Sequence, residues 1–400
     1  MANKPLVSVI IISYKNYQYI YQAIDSVLAQ KYQNIELIIS NDGSNDFNQK
    51  ETVKYIKKRS KKNIVSFTVN NNKTNQGTVK NINNALRLSK GEYILIFAAD
   101  DVMNDSKTVS NFVSAFKSMP KKELIVTSQI GMYDIKLKKL FEYFVSETNI
   151  NKIKNLPPKK LFGELALGCI LPGVGTCYKR EIFNKYGLFD QKYTLVEDYS
   201  SSLKYTRLGI KYNYFDFISF KHRDGGISHG NIAGTNQAHN KYELDIIKIM
   251  ENEVFPYIKL LNKDQKNTFK KLYRNRKWNY DYINKYKNGI KKDRRAFILE
   301  NFDIILSSTI KNTFRKLYEK SSTIILTGLI MYGTYSFNID YGTGITSILS
   351  INTNSKTIEL INWLIGYTGL IILILSVLTK IFIITYRLAI KTLRLYKHII

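Results

Sequence analysis

The chain has 400 residues, 44% hydrophobic and 13% aromatic, enough for two or three domains with sizeable cores. Its two cysteines, Cys169 and Cys177, fit a reduced compartment and require no disulfide, and no internal repeat points to a solenoid. The formal charge of +28 is unevenly placed: residues 251–320 hold 18 Lys/Arg against 8 Asp/Glu, a balance that suits an anionic partner.

In chain order, the apolar run Val7 to Ile12 reads as a buried strand, and Tyr17 to Gln30 as a helix. Within that helix Ile20, Ala23, Ile24, Val27 and Leu28 recur at spacings of three and four. Ile35 to Ile39 is a second strand and leads into Ser40-Asn41-Asp42-Gly43-Ser44-Asn45-Asp46, a strong turn composition. Ile64 to Val69 gives a third strand, and Asn75-Gln76-Gly77 opens a helix from about Thr78 to Ser89. The fourth strand, Tyr93 to Phe97, ends at the adjacent acids Asp100 and Asp101. Strands alternating with helices imply an α/β fold with a mainly parallel sheet. Acids beyond a strand end would sit at the carboxyl rim, where open α/β sheets bind ligands.

These segments resemble family 2 glycosyltransferases. The resemblance rests on Val7 to Tyr14, Ala23 to Tyr32, Asn41-Asp42-Gly43-Ser44-Asn45-Asp46, Asn75-Gln76-Gly77, Lys90-Gly91-Glu92-Tyr93-Ile94, Ala98-Ala99-Asp100-Asp101 and Glu197-Asp198. They follow one another in the family's order over roughly residues 5 to 230. The resemblance implies a GT-A fold for residues 1–245. It also implies transfer of one sugar from a nucleotide-diphosphate donor, typically a UDP-sugar, with inversion at the anomeric carbon.

Such a donor leaves as a nucleoside diphosphate, and a divalent cation on the diphosphate stabilises the growing charge. Hard oxygen ligands suit Mg²⁺ or Mn²⁺. The family's Asp-x-Asp motif aligns with Ala98-Ala99-Asp100, so the first acid is missing and Asp100 is the implied metal ligand, with Asp101 supporting it. The resemblance places Asp42 against the nucleobase, Tyr14 beside the base and ribose, and Asn75 as a further nucleoside contact. Local Asx, packing and capping roles are the alternatives for these three. Ile82 stands where many relatives carry an arginine, which leaves Lys80 as the nearest cation for a phosphate. The acceptor hydroxyl must lose a proton as it attacks, and the resemblance makes Asp198 that general base, with Glu197 orienting the acceptor or the loop. Two acids in a first helical turn also suit the helix dipole. Lys221, His222, Arg223 and His229 read as a basic loop able to cover a diphosphate. No His/Cys spacing supports a structural zinc site.

Downstream, residues 246–320 read as a basic, aromatic-bearing amphipathic region suited to an anionic membrane surface. Residues 321–339 and 360–379 carry no charge, and the second stretch is apolar enough to span a bilayer. Flanking lysines and arginines put both termini on the cytoplasmic side of the cell's inner membrane, and no secretory signal is visible. A membrane partner is therefore expected in place of nucleic acid. The expected acceptor is a lipid-linked glycan in cell-surface polysaccharide synthesis. The alternatives are a polyprenyl-phosphate sugar synthase and a catalytically silent module that binds sugar nucleotides or membranes.

Overall fold

The structure is a computed structural model; it describes residues 4–225 and 237–282, and five isolated positions, 364, 368, 370, 371 and 374. Four strands, β1 (Val7–Ser13), β2 (Ile35–Asn41), β3 (Ile64–Asn71) and β4 (Tyr93–Ala98), pair in parallel in the order β3-β2-β1-β4. Every residue of β2 is buried, and all of β1 but Ile12, as expected for strands covered on both faces. Helix α1 (Tyr17–Leu28) buries the Ile20, Ala23, Ile24, Val27 and Leu28 stripe. Helix α2 spans Gln49–Arg59, and α3 (Thr78–Leu88) turns Val79, Ile82, Ala85 and Leu86 inward. Each such fully buried aliphatic side chain contributes about 1.5–3 kcal/mol through removal from water.

Beyond β4 the sheet stops being parallel. The short β5 (Val102–Met103) precedes α4 (Thr108–Lys117), the long β6 (Ile125–Tyr133) and its hairpin partner β7 (Leu140–Tyr143). Helices α5 (Glu147–Asn155) and α6 (Pro158–Leu165), strand β8 (Thr176–Lys179), α7 (Arg180–Tyr186), α8 (Glu197–Arg207) and β9 (Tyr212–Arg223) follow. Strand β8 runs antiparallel between β4 and β6, β9 lies parallel to β6, and β5 closes the edge antiparallel to β9. The sheet is therefore mixed, not mainly parallel: β6 turns back through a hairpin, which a helical crossover does not do. Two apolar clusters cover its faces, one built on Ile10 and Ile94, the other on Val9, Ile11 and Leu95.

The described residues 246–282 belong to the same compact unit as the sheet. Helix α9 (Gln237–Ile249) continues through one π turn and one 3-10 turn toward α10 (Lys263–Tyr282). Ile246, Ile249, Val254 and Phe269 belong to the same cluster as Ile10 and Ile94. Phe255 stacks edge-on against Phe269 and Tyr273, at 4.9 and 4.8 Å between ring centres. These three aromatics, expected to suit a membrane surface, pack against the protein itself, while Lys270, Lys271 and Arg274 stay exposed. No helix among the described residues is long and apolar enough to cross a membrane. The stretches 321–339 and 360–379 lie outside the described residues, apart from isolated positions in the second.

Candidate active site

The carboxyl ends of β1, β2 and β4 share one rim of the sheet, and the loops leaving it carry Tyr14, Asp42 and Asp100. Tyr14 is 39% exposed, with the Lys15 ammonium 5.4 Å from its ring centre. Asp42 is buried. Its Oδ1 accepts from the Gln76 N–H (3.0 Å) and the Asn72 amide (3.0 Å), and its Oδ2 from the Gly77 N–H (2.8 Å). It thus ties the loop after β2 to the start of α3. Asn75 Oδ1 accepts from the same Gly77 N–H at 2.9 Å, and Lys80 is exposed in the first turn of α3. Asn72 and Asn81, unmarked by the sequence reading, extend this network: Asn72 donates to Asn81 Oδ1 (3.1 Å), which also accepts from the Ser40 hydroxyl (2.6 Å). The signal available was Asn81 itself, a polar residue between apolar neighbours on the buried stripe of α3.

The two adjacent acids differ in their surroundings. Asp101 is buried, its carboxylate 3.0 Å from His222 Nδ1 and 3.0 Å from the Arg223 backbone N–H. Burial pulls the His222 imidazole down, but the Asp101 charge and hydrogen bond outweigh it, so the imidazole titrates above its usual value. Arg223 Nε donates to the Asp100 carbonyl (2.7 Å), Nη2 to Gln22 (2.7 Å) and Nη1 to the Ile135 carbonyl, with the guanidinium over the Tyr19 ring. Lys221, His222 and Arg223 therefore belong to strand β9, not to the covering loop expected from the sequence, and Arg223 is buried in it. His229 lies outside the described residues. The Asp100 carboxylate is only partly buried and accepts a long hydrogen bond from the Asn16 amide at 3.5 Å. Burial, and secondarily the Asp101 charge, raise its titration above the usual carboxylate value.

Glu197 and Asp198 occupy the first turn of α8. The Tyr199 N–H donates to Asp198 Oδ1 at 2.7 Å, and Oδ2 lies so close to Gly173 that an added Cβ would fall 2.4 Å from it. Gly173 belongs to the loop entering β8. Because Leu95 pairs with Cys177, that loop leaves the sheet at the end of β4 that carries Asp100. The N-termini of α3 and α8 also meet, through Val79 N–H to Thr194 C=O (3.1 Å). Asp42, Asp100 and Asp198 thus border one rim. Burial, then the neighbouring Asp198 charge, push Glu197 up to about 8, so it holds its proton at neutral pH. Burial raises Asp198 as well, against the opposing pull of the Tyr199 N–H and its own backbone.

Among the described residues no group of three or more His, Cys, Asp or Glu side chains is placed to hold a metal ion. The donor set nevertheless fits a loosely held hard cation, because the partly buried Asp100 carboxylate takes just one long side-chain hydrogen bond among the described residues, from the Asn16 amide.

Residues 8–187 match the sequence model described as Glycosyl transferase family 2. An uncharacterised glycosyltransferase of Rickettsia typhi is 32% identical over 212 residues, covering 52% of this chain and 61% of that protein. One from Haemophilus influenzae is 24% identical over 347 residues, covering 85% of this chain and 94% of that protein. This chain spans 61% of the length of each of the two Rickettsia relatives from R. typhi and R. prowazekii. S. aureus TarS 1-349 in complex with UDP-GlcNAc superposes with a TM-score of 0.47 at 15% identity, over 76% of this chain and 81% of TarS. Residues 8–187, a little under half of the chain, are thus similar to glycosyl transferase family 2.

Proposed function

We propose that this protein is an inverting glycosyltransferase that moves a sugar from a UDP-linked donor to a lipid-linked glycan at the cytoplasmic face of the inner membrane. The observation that supports the reading is that Asp100 and the Gly173 loop against which Asp198 packs leave the same end of the sheet, the end that also carries the loop held by Asp42. In this reading the nucleoside lies over Tyr14, Asp42 and Asn75. Asp42 Oδ2, which accepts from the Gly77 N–H, keeps a second lone pair for a base N–H. Asp100 would hold a Mg²⁺ or Mn²⁺ ion, which would supply charge stabilisation for the departing diphosphate. Asp198 accepts the proton of the attacking hydroxyl. Protonated Glu197 keeps a second negative charge away from it, so the pair offers one base near neutral pH.

The uncharged stretches 321–339 and 360–379 and the basic residues outside them support the membrane location. An anchored catalyst and a lipid-borne acceptor meet in two dimensions, which raises their effective concentration. The test is a donor screen with isolated membranes that follows nucleotide release and radiolabel transfer. The reading requires release from one donor, label in a glycan attached to lipid, and loss of both with Asp100→Asn. Release with label recovered only as a single-sugar lipid would move the acceptor to polyprenyl phosphate.

A further inference from the structure

The hairpin of β6 and β7 exposes four large apolar side chains within residues 135–144: Ile135 (56%), Phe141 (54%), Tyr143 (48%) and Phe144 (38%). Lys136, Lys138 and Lys139 are exposed beside them, and the Lys139 ammonium lies 5.7 Å from the Phe141 ring centre. The turn has a fixed shape: the Asp134 N–H donates to Lys139 C=O (2.9 Å), and the Leu137 N–H to Asp134 C=O (2.9 Å). The Asp134 carboxylate is committed to the Lys138 and Lys139 N–H groups at 2.6 and 2.8 Å, which hold it below the usual carboxylate range. Glu142 is the one other acid of the hairpin. The turn is tied to the candidate site, since Arg223 donates both to the Ile135 carbonyl and to the Asp100 carbonyl.

We propose that this hairpin docks on an anionic lipid bilayer, with Ile135, Phe141, Tyr143 and Phe144 in the interface and Lys136, Lys138 and Lys139 on the headgroup phosphates. Aromatic and aliphatic side chains ringed by lysines match that interface in both polarity and charge. A second copy of the chain fits less well, because a symmetric contact would bring the same lysines face to face. The docking orients the Asp100 rim beside the leaflet. It does not depend on the chemistry assigned to that rim.

The test places a reporter on the hairpin of the full chain. Phe141→Trp, or Phe144→Trp as a second probe, is read as the emission added to that of Trp278 and Trp363 in the parent protein. The protein is reconstituted in phosphatidylcholine vesicles with or without phosphatidylglycerol. With phosphatidylglycerol, the added emission should shift to the blue, resist iodide and be quenched about twofold or more by brominated lipid. The triple variant Lys136→Glu, Lys138→Glu, Lys139→Glu should lose that quenching while donor turnover is unchanged. Added emission that stays open to iodide and insensitive to brominated lipid would overturn the proposal. So would a blue shift that grows with protein concentration in the absence of lipid, since a second copy would then be the occupant. Nucleotide release in the same samples reports separately on the glycosyltransferase reading.

Discussion

Asp245 Oδ2 accepts the backbone N–H groups of both Thr194 (2.7 Å) and Leu195 (2.6 Å), so one buried carboxylate of α9 holds the segment that enters α8. The same Thr194 packs against Gly77, where an added Cβ would fall 2.6 Å from its methyl, and Gly77 takes a φ of +91°. Asp245 therefore positions Asp198 relative to the loop bound by Asp42 without touching either acid. Asp245→Ala leaves two N–H groups without their acceptor and should cost about 1–3 kcal/mol of stability. Turnover should fall about 10- to 100-fold as Asp198 drifts, with nucleotide affinity changed less. Thermal unfolding and steady-state kinetics on one preparation check both.

The raised carboxyl of Glu197 has a pH signature in stability. An acid with a folded-state pKa above its unfolded value keeps its proton in the native state while the unfolded chain releases it. Stability must therefore decline as pH rises from the ordinary value of 4.5 toward about 8. Glu197→Gln cannot ionise and should lack that decline, becoming more stable than the parent at the alkaline end. Unfolding midpoints of both proteins across this window measure it; parallel curves would mean that Glu197 is ionised throughout.

Gly173 tests how closely Asp198 is seated. A Cβ there would lie 2.4 Å from Asp198 Oδ2 and 3.1 Å from its Cβ, so the acid must rotate away. Gly173→Ala should reduce turnover by about 10²-fold while donor binding and the unfolding midpoint stay near those of the parent. Calorimetric titration with nucleotide sugar, beside rate measurements, separates these effects.

The pair at the end of β4 should divide by role. Asp101→Asn weakens the contacts to His222 and the Arg223 N–H, which fasten β9, and should cost about 1–3 kcal/mol of stability. Asp100→Asn leaves those contacts in place and should leave the unfolding midpoint unchanged while turnover collapses. Circular dichroism melts and nucleotide-release assays distinguish the two.

Much of the first hundred residues was legible because each strand there is rich in apolar β-formers and closed by turn residues. Val7–Ser13 and Tyr93–Ala98 end within a residue of the runs that announce them. The second half was not legible in the same way. Strand β9 mixes Asn213, Asp216, Ser219 and Lys221 with buried aromatics, and its register against β6 shifts twice, so no clean alternation survives. Phe269 resembles a membrane aromatic in a lysine-rich stretch and is buried only because α10 returns to the core. The acids Asp42, Asp100 and Asp198 were marked by short motifs. Asn72, which binds Asp42, and Asp245, which holds the segment entering α8, act through contacts that form only in the folded chain, and no local pattern signals them; Arg223 was marked, but as a loop cation and not as the buried strand residue it is.

The most direct measurement is a mutant cycle on donor-dependent sugar transfer with Asp100→Asn, Asp198→Asn and the double variant, with nucleotide-sugar binding followed in parallel. Two groups serving one reaction in one cleft should each cost about 10²–10⁴-fold in rate. The double variant should then be little worse than the poorer single one, and Asp198→Asn should still bind donor. Transfer at the parent rate by Asp198→Asn, or losses that simply multiply in the double variant, would contradict the account.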